Sequence, residues 1–298
     1  MADILVAGSL HLDVMVTAPH LPRLDQTVAG QGVSYVFGGK GGNQALAAAR
    51  MGAQVAMAGA VGSDGFAETI LAALDAGGVR RTRVRHVQGP SGMSVAIVDA
   101  SGGYGAVIVS AANLMIDAET PFPPGCRMLI LQNEVPEAAN LRLATRARTA
   151  GLRVILNAAP ARVLSADMLP LVDLLVVNRG EAADLLGQVE ADLDPARAAQ
   201  ALCALGPHAV IVTLGAYGLA GSGPDGPFAQ AAPAATVIST HGAGDAFIGA
   251  MAAEWLHGTP LPQAARFGQT AAALHVSTPP DRRAAITEAM VRARLSLG

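Results

Sequence analysis

Aromatic residues are scarce in this 298-residue chain: one Trp, three Tyr and six Phe, 3% in all. A surface that stacks nucleobases needs more rings than that. Charge is also thin, at 14% of residues with a net of -3 and no basic cluster, which argues further against a nucleic-acid partner. There are only two cysteines, Cys126 and Cys203, without metal-ligand spacing, and the seven histidines form no clustered metal pattern. The thiols read as reduced, partly buried groups of a cytoplasmic protein. No apolar run approaches the roughly 18 residues of a membrane span. Met1-Ala2-Asp3-Ile4 has no basic stretch ahead of a long apolar segment, so neither a membrane anchor nor a secretion signal is expected.

What is abundant is apolar character, 51% of residues, broken into short runs. Ile4 to Ala7, Val55 to Ala58, Met128 to Leu131, Val154 to Leu156, Leu174 to Val177 and Val210 to Val212 read as buried strands. Pro136 to Ala150, Pro195 to Leu205, Ala243 to Leu256, Leu261 to Val276 and Ala284 to Leu297 read as helices, with Asp194 as a cap. Strand-then-helix alternation predicts an α/β fold: a doubly wound, mainly parallel sheet with helices on both faces. Ligands of such sheets sit beyond the C-terminal ends of the strands. Gly8, Glu134, Asn178 and Gly215 each follow an apolar run closely and belong at that edge. Two stretches depart from the alternation: Thr27 to Phe37 is strand-like but polar, and Ser91 to Asn113 reads as a hairpin around Ala100-Ser101-Gly102-Gly103. With no linker and no internal repeat, residues 1–298 are expected to form one domain.

Two segments carry chemistry. Ser239-Thr240-His241-Gly242-Ala243-Gly244-Asp245 enters a predicted helix. Small residues there let the amides of Gly242, Ala243 and Gly244 converge on an anion, and Asp245 follows as a proton acceptor. The same run also fits a plain helix entry with an acid in its first turn. Gly38-Gly39-Lys40-Gly41-Gly42-Asn43 places four glycines around one Lys, so backbone can approach a polar ligand while Lys40 and Asn43 donate to it. It is not a P-loop, because Ser34 stands where the earlier glycine is required and no Ser/Thr follows the Lys. Gly221-Ser222-Gly223-Pro224-Asp225-Gly226 matches a dinucleotide pattern, but Pro224 and Pro227 disfavour the helix it should open; a turn between strands is expected.

Together the two segments resemble the paired signatures of the ribokinase-like (PfkB) family of carbohydrate kinases, in the family's order and spacing, with the ribokinase branch nearest in pattern. The likeness extends to Gly8-Ser9-Leu10-His11-Leu12-Asp13, Gln132-Asn133-Glu134, Asn178-Arg179-Gly180-Glu181 and Thr213-Leu214-Gly215-Ala216-Tyr217-Gly218. The resemblance implies ATP-dependent phosphorylation of a sugar hydroxyl, with ribose or a similar sugar as acceptor. Asp245 would be the general base and the amides of 242–244 the anion hole. Asp13, Gly39, Lys40, Asn43 and Glu134 would bind the acceptor, with His11 beside them. Asn178, Thr213, Gly215 and Gly218 would contact ATP, and Glu181 would act on Mg²⁺ through water. A small β-lid from about 13–37 and 91–113 would cover the sugar and could form a homodimer interface. In ribokinases the regions matching 239–241 and 277–283 hold an activating monovalent cation. Ser239, His241 and Ser277-Thr278-Pro279-Pro280-Asp281-Arg282-Arg283 depart from that pattern and leave a K⁺ requirement open. His11, where ribokinases usually have Asn, leaves the sugar open. A nucleoside kinase of adenosine or pseudouridine type, using Tyr35, Phe37 and Met93, and a non-catalytic sugar or nucleotide sensor are the alternative readings.

Overall fold

The short apolar runs become the centre of one large sheet. The computed structural model describes residues 2–100 and 103–296. In chain order the elements are β1 (Ile4–Ala7), β2 (His11–Ala18), β3 (Gly32–Gly38), α1 (Lys40–Arg50), β4 (Val55–Val61), α2 (Gly65–Ala76), β5 (Arg80–His86), β6 (Gly92–Asp99) and β7 (Tyr104–Val109). They continue with β8 (Met128–Gln132), α3 (Glu137–Thr149), β9 (Arg153–Asn157), β10 (Leu174–Asn178), α4 (Arg179–Leu186), α5 (Pro195–Cys203) and β11 (Ala209–Thr213). The chain ends with β12 (Leu219–Ser222), β13 (Phe228–Gln230), α6 (Ala243–Leu256), α7 (Leu261–Val276) and α8 (Glu288–Leu295).

The large sheet runs β13-β12-β11-β10-β9-β8-β1-β4-β5, parallel from β11 to β5 and antiparallel only at β12 and β13. Alternate side chains of the strands feed two cores. Ile4, Val6, Met57 and Ile130 face α1, α2, α6 and α7, while Leu5, Leu129, Leu131 and Leu156 face α3 and α5. Both faces are thus covered, which is why these strands read as continuous apolar runs rather than alternating ones. Each such fully buried Leu or Ile contributes about 1.5–3 kcal/mol.

Strand β1 lies between β4 and β8. The chain therefore winds outward in both directions from β1, and the crevice beyond its C-terminal end is the topological switch point where a ligand is expected. Helix α6 presses against α1 above this crevice. A Cβ on Gly249 would meet the Ala47 Cβ at 2.5 Å and the Gln44 carbonyl oxygen at 2.6 Å, so only glycine allows this approach. Gly268 does the same between α7 and α6, where a Cβ would meet the Phe247 carbonyl oxygen at 2.7 Å.

The second sheet is small and ordered β3-β2-β6-β7. Register puts Val33, Tyr35, Val14, Val16, Val95 and Val107 on one of its faces and Asp13 and Ser94 on the other. Asn113, in the turn after β7, clips the exit of this sheet to its entry, accepting from the Leu10 amide at 2.8 Å and donating to the Leu10 carbonyl at 3.0 Å.

Several sequence expectations are corrected. The last helix begins at Glu288, not Ala284: Pro280–Ala285 is a 3₁₀ turn, Ile286 is extended, and Thr287 caps a new helix. The strand expected from Thr27 begins only at Gly32, with Asp25 in the left-handed region before it. Pro136 precedes α3 rather than opening it. α2 and β5 were not anticipated, and α4 only through the reading of Asn178 as a cap with Glu181 as a first-turn acid. Met1, Leu297 and the Ser101-Gly102 part of the expected hairpin lie outside the described residues. The Gly221–Gly226 run ends β12 and turns into β13, as a turn between strands requires. Among the described residues no helix is long and apolar enough to cross a membrane.

Candidate active site

At the C-terminal end of β1 the chain passes through Gly8 and Ser9, and the N-terminus of α1 lies directly on it. Gly39, at φ 85°, and Gly41 permit this: a Cβ on either would meet the Ser9 carbonyl oxygen at 2.8 Å. Glu134, just past β8, fastens the junction. Its Oε2 accepts from the Ser9 hydroxyl at 2.5 Å and from the Lys40 amide at 2.9 Å. A residue that the sequence suggests as a sugar contact is therefore also the acceptor at the N-terminus of α1.

Asp245 sits in the first turn of α6, buried, directly above α1. The side chain of Gln44 donates to its Oδ1 at 2.9 Å and that of Asn43 to its Oδ2 at 3.3 Å. Gln44 is held in turn by Gln132, which donates to its amide oxygen at 2.8 Å, and donates to Asn157 at 3.1 Å. Burial raises the Asp245 pKa to about 6, opposed by the nearby Lys40 charge and the Gln44 hydrogen bond. The carboxylate is thus ionised at neutral pH yet basic enough to take a proton.

The cleft beside Asp245 has a cavity volume of about 180 Å³. Lys40, Asn178, Glu181, Thr213, and Thr240 with Gly242 to Gly244 line it. Of the three predicted anion-hole amides, that of Ala243 turns back onto the Thr240 carbonyl at 3.1 Å, because Gly242 closes a tight turn at φ 75°. Gly242, Gly244 and Asp245 are the remaining amides of this helix entrance.

Asn178 and Glu181 form a capping box on α4: Asn178 Oδ1 accepts from the Glu181 amide and Glu181 Oε2 from the Asn178 amide, both at 2.8 Å. Burial raises the Glu181 pKa, and Lys40 opposes the shift. Thr213 hydrogen-bonds the Val177 carbonyl at 3.3 Å, whereas Gly215 (φ 59°) and Gly218 (φ 101°) shape the turn after β11. On the other side of Asn43, Asp13 is buried and accepts from the Ser94 hydroxyl at 2.6 Å. His11 Nδ1 and the exposed His241 Nε2 each approach Asp13 to 4.0 Å. His11 Nε2 is buried without a hydrogen-bond partner. His241 thereby reaches from the α6 loop to the small sheet.

Sequence reasoning missed Gln44, Gln132, Asn157, Ser94 and Asn113. Gln44 was legible as the polar neighbour of Asn43 on α1; Gln132, Asn157 and Ser94 gain meaning only from strand pairing, and Asn113 only from the turn that brings it to Leu10. Among the described residues no group of three or more His, Cys, Asp or Glu could hold a metal by itself.

A buried carboxylate of raised pKa, an adjoining helix N-terminus and a glycine-lined crevice at a switch point are the parts of a phosphotransferase of α/β class. The chain belongs to the pfkB family of carbohydrate kinases, whose model matches residues 1–287. It is 33% identical over 279 residues to a ribokinase of Haemophilus influenzae, covering 91% of each chain. It is 32% identical over 258 residues to a deoxyribokinase of Salmonella typhi, covering 84% of each. The structure of Arabidopsis thaliana ribokinase complexed with ribose and ATP superposes with a TM-score of 0.90 at 28% identity, covering 100% of this chain and 99% of that one.

Proposed function

We propose that this carbohydrate kinase transfers the γ-phosphoryl group of ATP to a hydroxyl of a ribose-type sugar. The observation that carries the reading is Asp245: a buried carboxylate, held by Asn43 and Gln44, at the mouth of a cleft whose wall is a helix N-terminus. Asp245 takes the proton of the attacking hydroxyl. The amides at the entrance of α6, with Lys40 opposite, stabilise charge on the phosphoryl oxygens; one such donor is typically worth about 3 kcal/mol. Glu181, with Asn178 beside it, offers the sparse carboxylate donor set that suits Mg²⁺ held largely by phosphates and water. That ion would neutralise charge on the phosphates.

Asp13, Gly39, Asn43 and Glu134 hold the acceptor, and His11 brings a ring nitrogen that lacks a partner within the protein. The small sheet acts as the lid, part of one domain with the large sheet. Its apolar face leaves Val33 58%, Tyr35 59% and Val107 65% exposed, and a second copy of the chain covers it.

The test is ADP release in the presence of Mg²⁺ over ribose, deoxyribose, fructose, adenosine and pseudouridine. Release driven by ribose or deoxyribose is expected. Release driven only by nucleosides, or sugar binding that yields no ADP, would replace the reading with a nucleoside kinase or a sensor.

A further inference from the structure

Arg283 is buried to 7% exposure, yet among the described residues no carboxylate lies within ion-pair distance of it. An isolated buried charge is costly unless dipoles replace its water. Four main-chain carbonyls do so here. Arg283 Nη1 donates to the His241 carbonyl at 2.9 Å and Nη2 to the Ser239 carbonyl at 2.8 Å. Nε is shared between the carbonyls of His275 and Thr278, each at 3.1 Å. The acceptors come from two segments, the end of α7 and the loop that becomes the entrance of α6. The His241 carbonyl belongs to the residue immediately before Gly242, and His275 Nε2 lies 2.8 Å from that same oxygen.

Carbonyl oxygens converging from two loops are the ligand set of a dehydrated monovalent cation. In this chain the set does not fit one. Its oxygens already point at a fixed positive charge, and a second cation there would face the guanidinium.

We infer that Arg283 is a tethered substitute for a bound monovalent cation: it positions the 239–241 loop, and through it the amides and carboxylate of 242–245, so that the kinase needs no K⁺. The inference rests on the phosphoryl-transfer reading above.

It is tested by measuring kcat and KM for ATP and sugar at about 100 mM KCl and at equal tetramethylammonium chloride, where screening is the same. The wild-type chain should show the same kcat in both salts. Stimulation of the wild type by K⁺ of about tenfold or more would overturn the inference, and this arm needs no variant. Arg283→Ala should lose about a hundredfold in kcat in tetramethylammonium, with little change in sugar KM, and recover in K⁺ or with added guanidinium. Full activity of Arg283→Ala without either cation, or a loss that neither repairs, would also overturn it. Arg283→Lys, which keeps the charge, should remain indifferent to K⁺. If no sugar drives ADP release in any salt, the phosphoryl-transfer reading has failed instead. The melting temperature then decides the cation question, since K⁺ relative to tetramethylammonium should raise it for Arg283→Ala and leave the wild type unmoved.

Discussion

The two sheets of this molecule are built from similar residues to opposite ends. β1, β4 and β8 are buried along their whole length, with helices over both faces. The β3-β2-β6-β7 sheet carries valines just as freely, but Val33, Val95 and Val107 remain open to solvent. Composition does not distinguish the two; coverage does. The large sheet fixes Glu134, Asn157 and Asn178 at its C-terminal edge and supports the helices that hold Asp245, so the proposed chemistry rests on the part packed on both faces. The small sheet contributes Asp13 and an exposed apolar face, so in the proposed reading recognition and assembly rest on the part with the least packing.

The contrast is broken most severely at Asp245. Asp245→Asn should reduce kcat by about 10²–10⁴ with folding intact, checked by steady-state kinetics and circular dichroism. The same residue gives the pH dependence. As the proposed base Asp245 would act only when ionised, so kcat/KM should rise with pH through about 6 and level off above it. Its folded pKa is raised, so its contribution to stability is present below the ordinary carboxylate range and is lost as pH rises through about 6. Asp245→Asn should therefore gain in melting temperature over the wild type between pH 4 and 6, with no further gain at higher pH.

Next in size is Gly249→Val, which pushes α6 off α1. Its Cβ meets main chain at Gln44, which cannot yield as a side-chain tip would. A stability loss of about 1–3 kcal/mol by denaturant titration, together with a fall in kcat, is expected. On the small sheet, Val107→Arg should leave the melting transition of the large sheet in place while halving the mass seen by light scattering. An unchanged mass would remove that face as a contact between copies. The smallest effect belongs to Asn178→Ala, which opens the capping box on α4 and should cost about 1 kcal/mol. Any additional loss in KM for ATP would assign Asn178 a role beyond capping.

Much of the large sheet was legible because parallel strands covered on both faces must be apolar throughout, and all six expected strands end within three residues of the observed bounds, Ile4–Ala7 matching at both ends. Asp194 capped α5 as read, accepting from the Arg197 amide at 2.9 Å. β5 escaped because its sequence, Arg80-Arg81-Thr82-Arg83-Val84-Arg85-His86, is that of a charged edge strand and carries almost no apolar signal. The start of α4 was legible in Asn178 as a cap and Glu181 as a first-turn acid, a reading the capping box matches, while its extent was not. At the site, the glycine segments and Asp245 could be picked out because close backbone approach and an acid at a helix entrance both leave marks in local sequence. The Gln132-Gln44-Asn157 chain and the four carbonyls around Arg283 could not, since they depend on segments between 25 and 113 residues apart meeting in space or on oxygens that every residue possesses.

The Asn113 clip on Leu10 has a consequence for the order of events. It joins the two ends of the small sheet at its root, Leu10 one residue before β2 and Asn113 in the turn after β7. In the reading proposed above, where the small sheet is a lid over the sugar, Asp13 on β2 would move with that sheet while Asp245 on α6 would stay in place. Closure over a captured sugar would then bring the acceptor's contacts and the base together in one step.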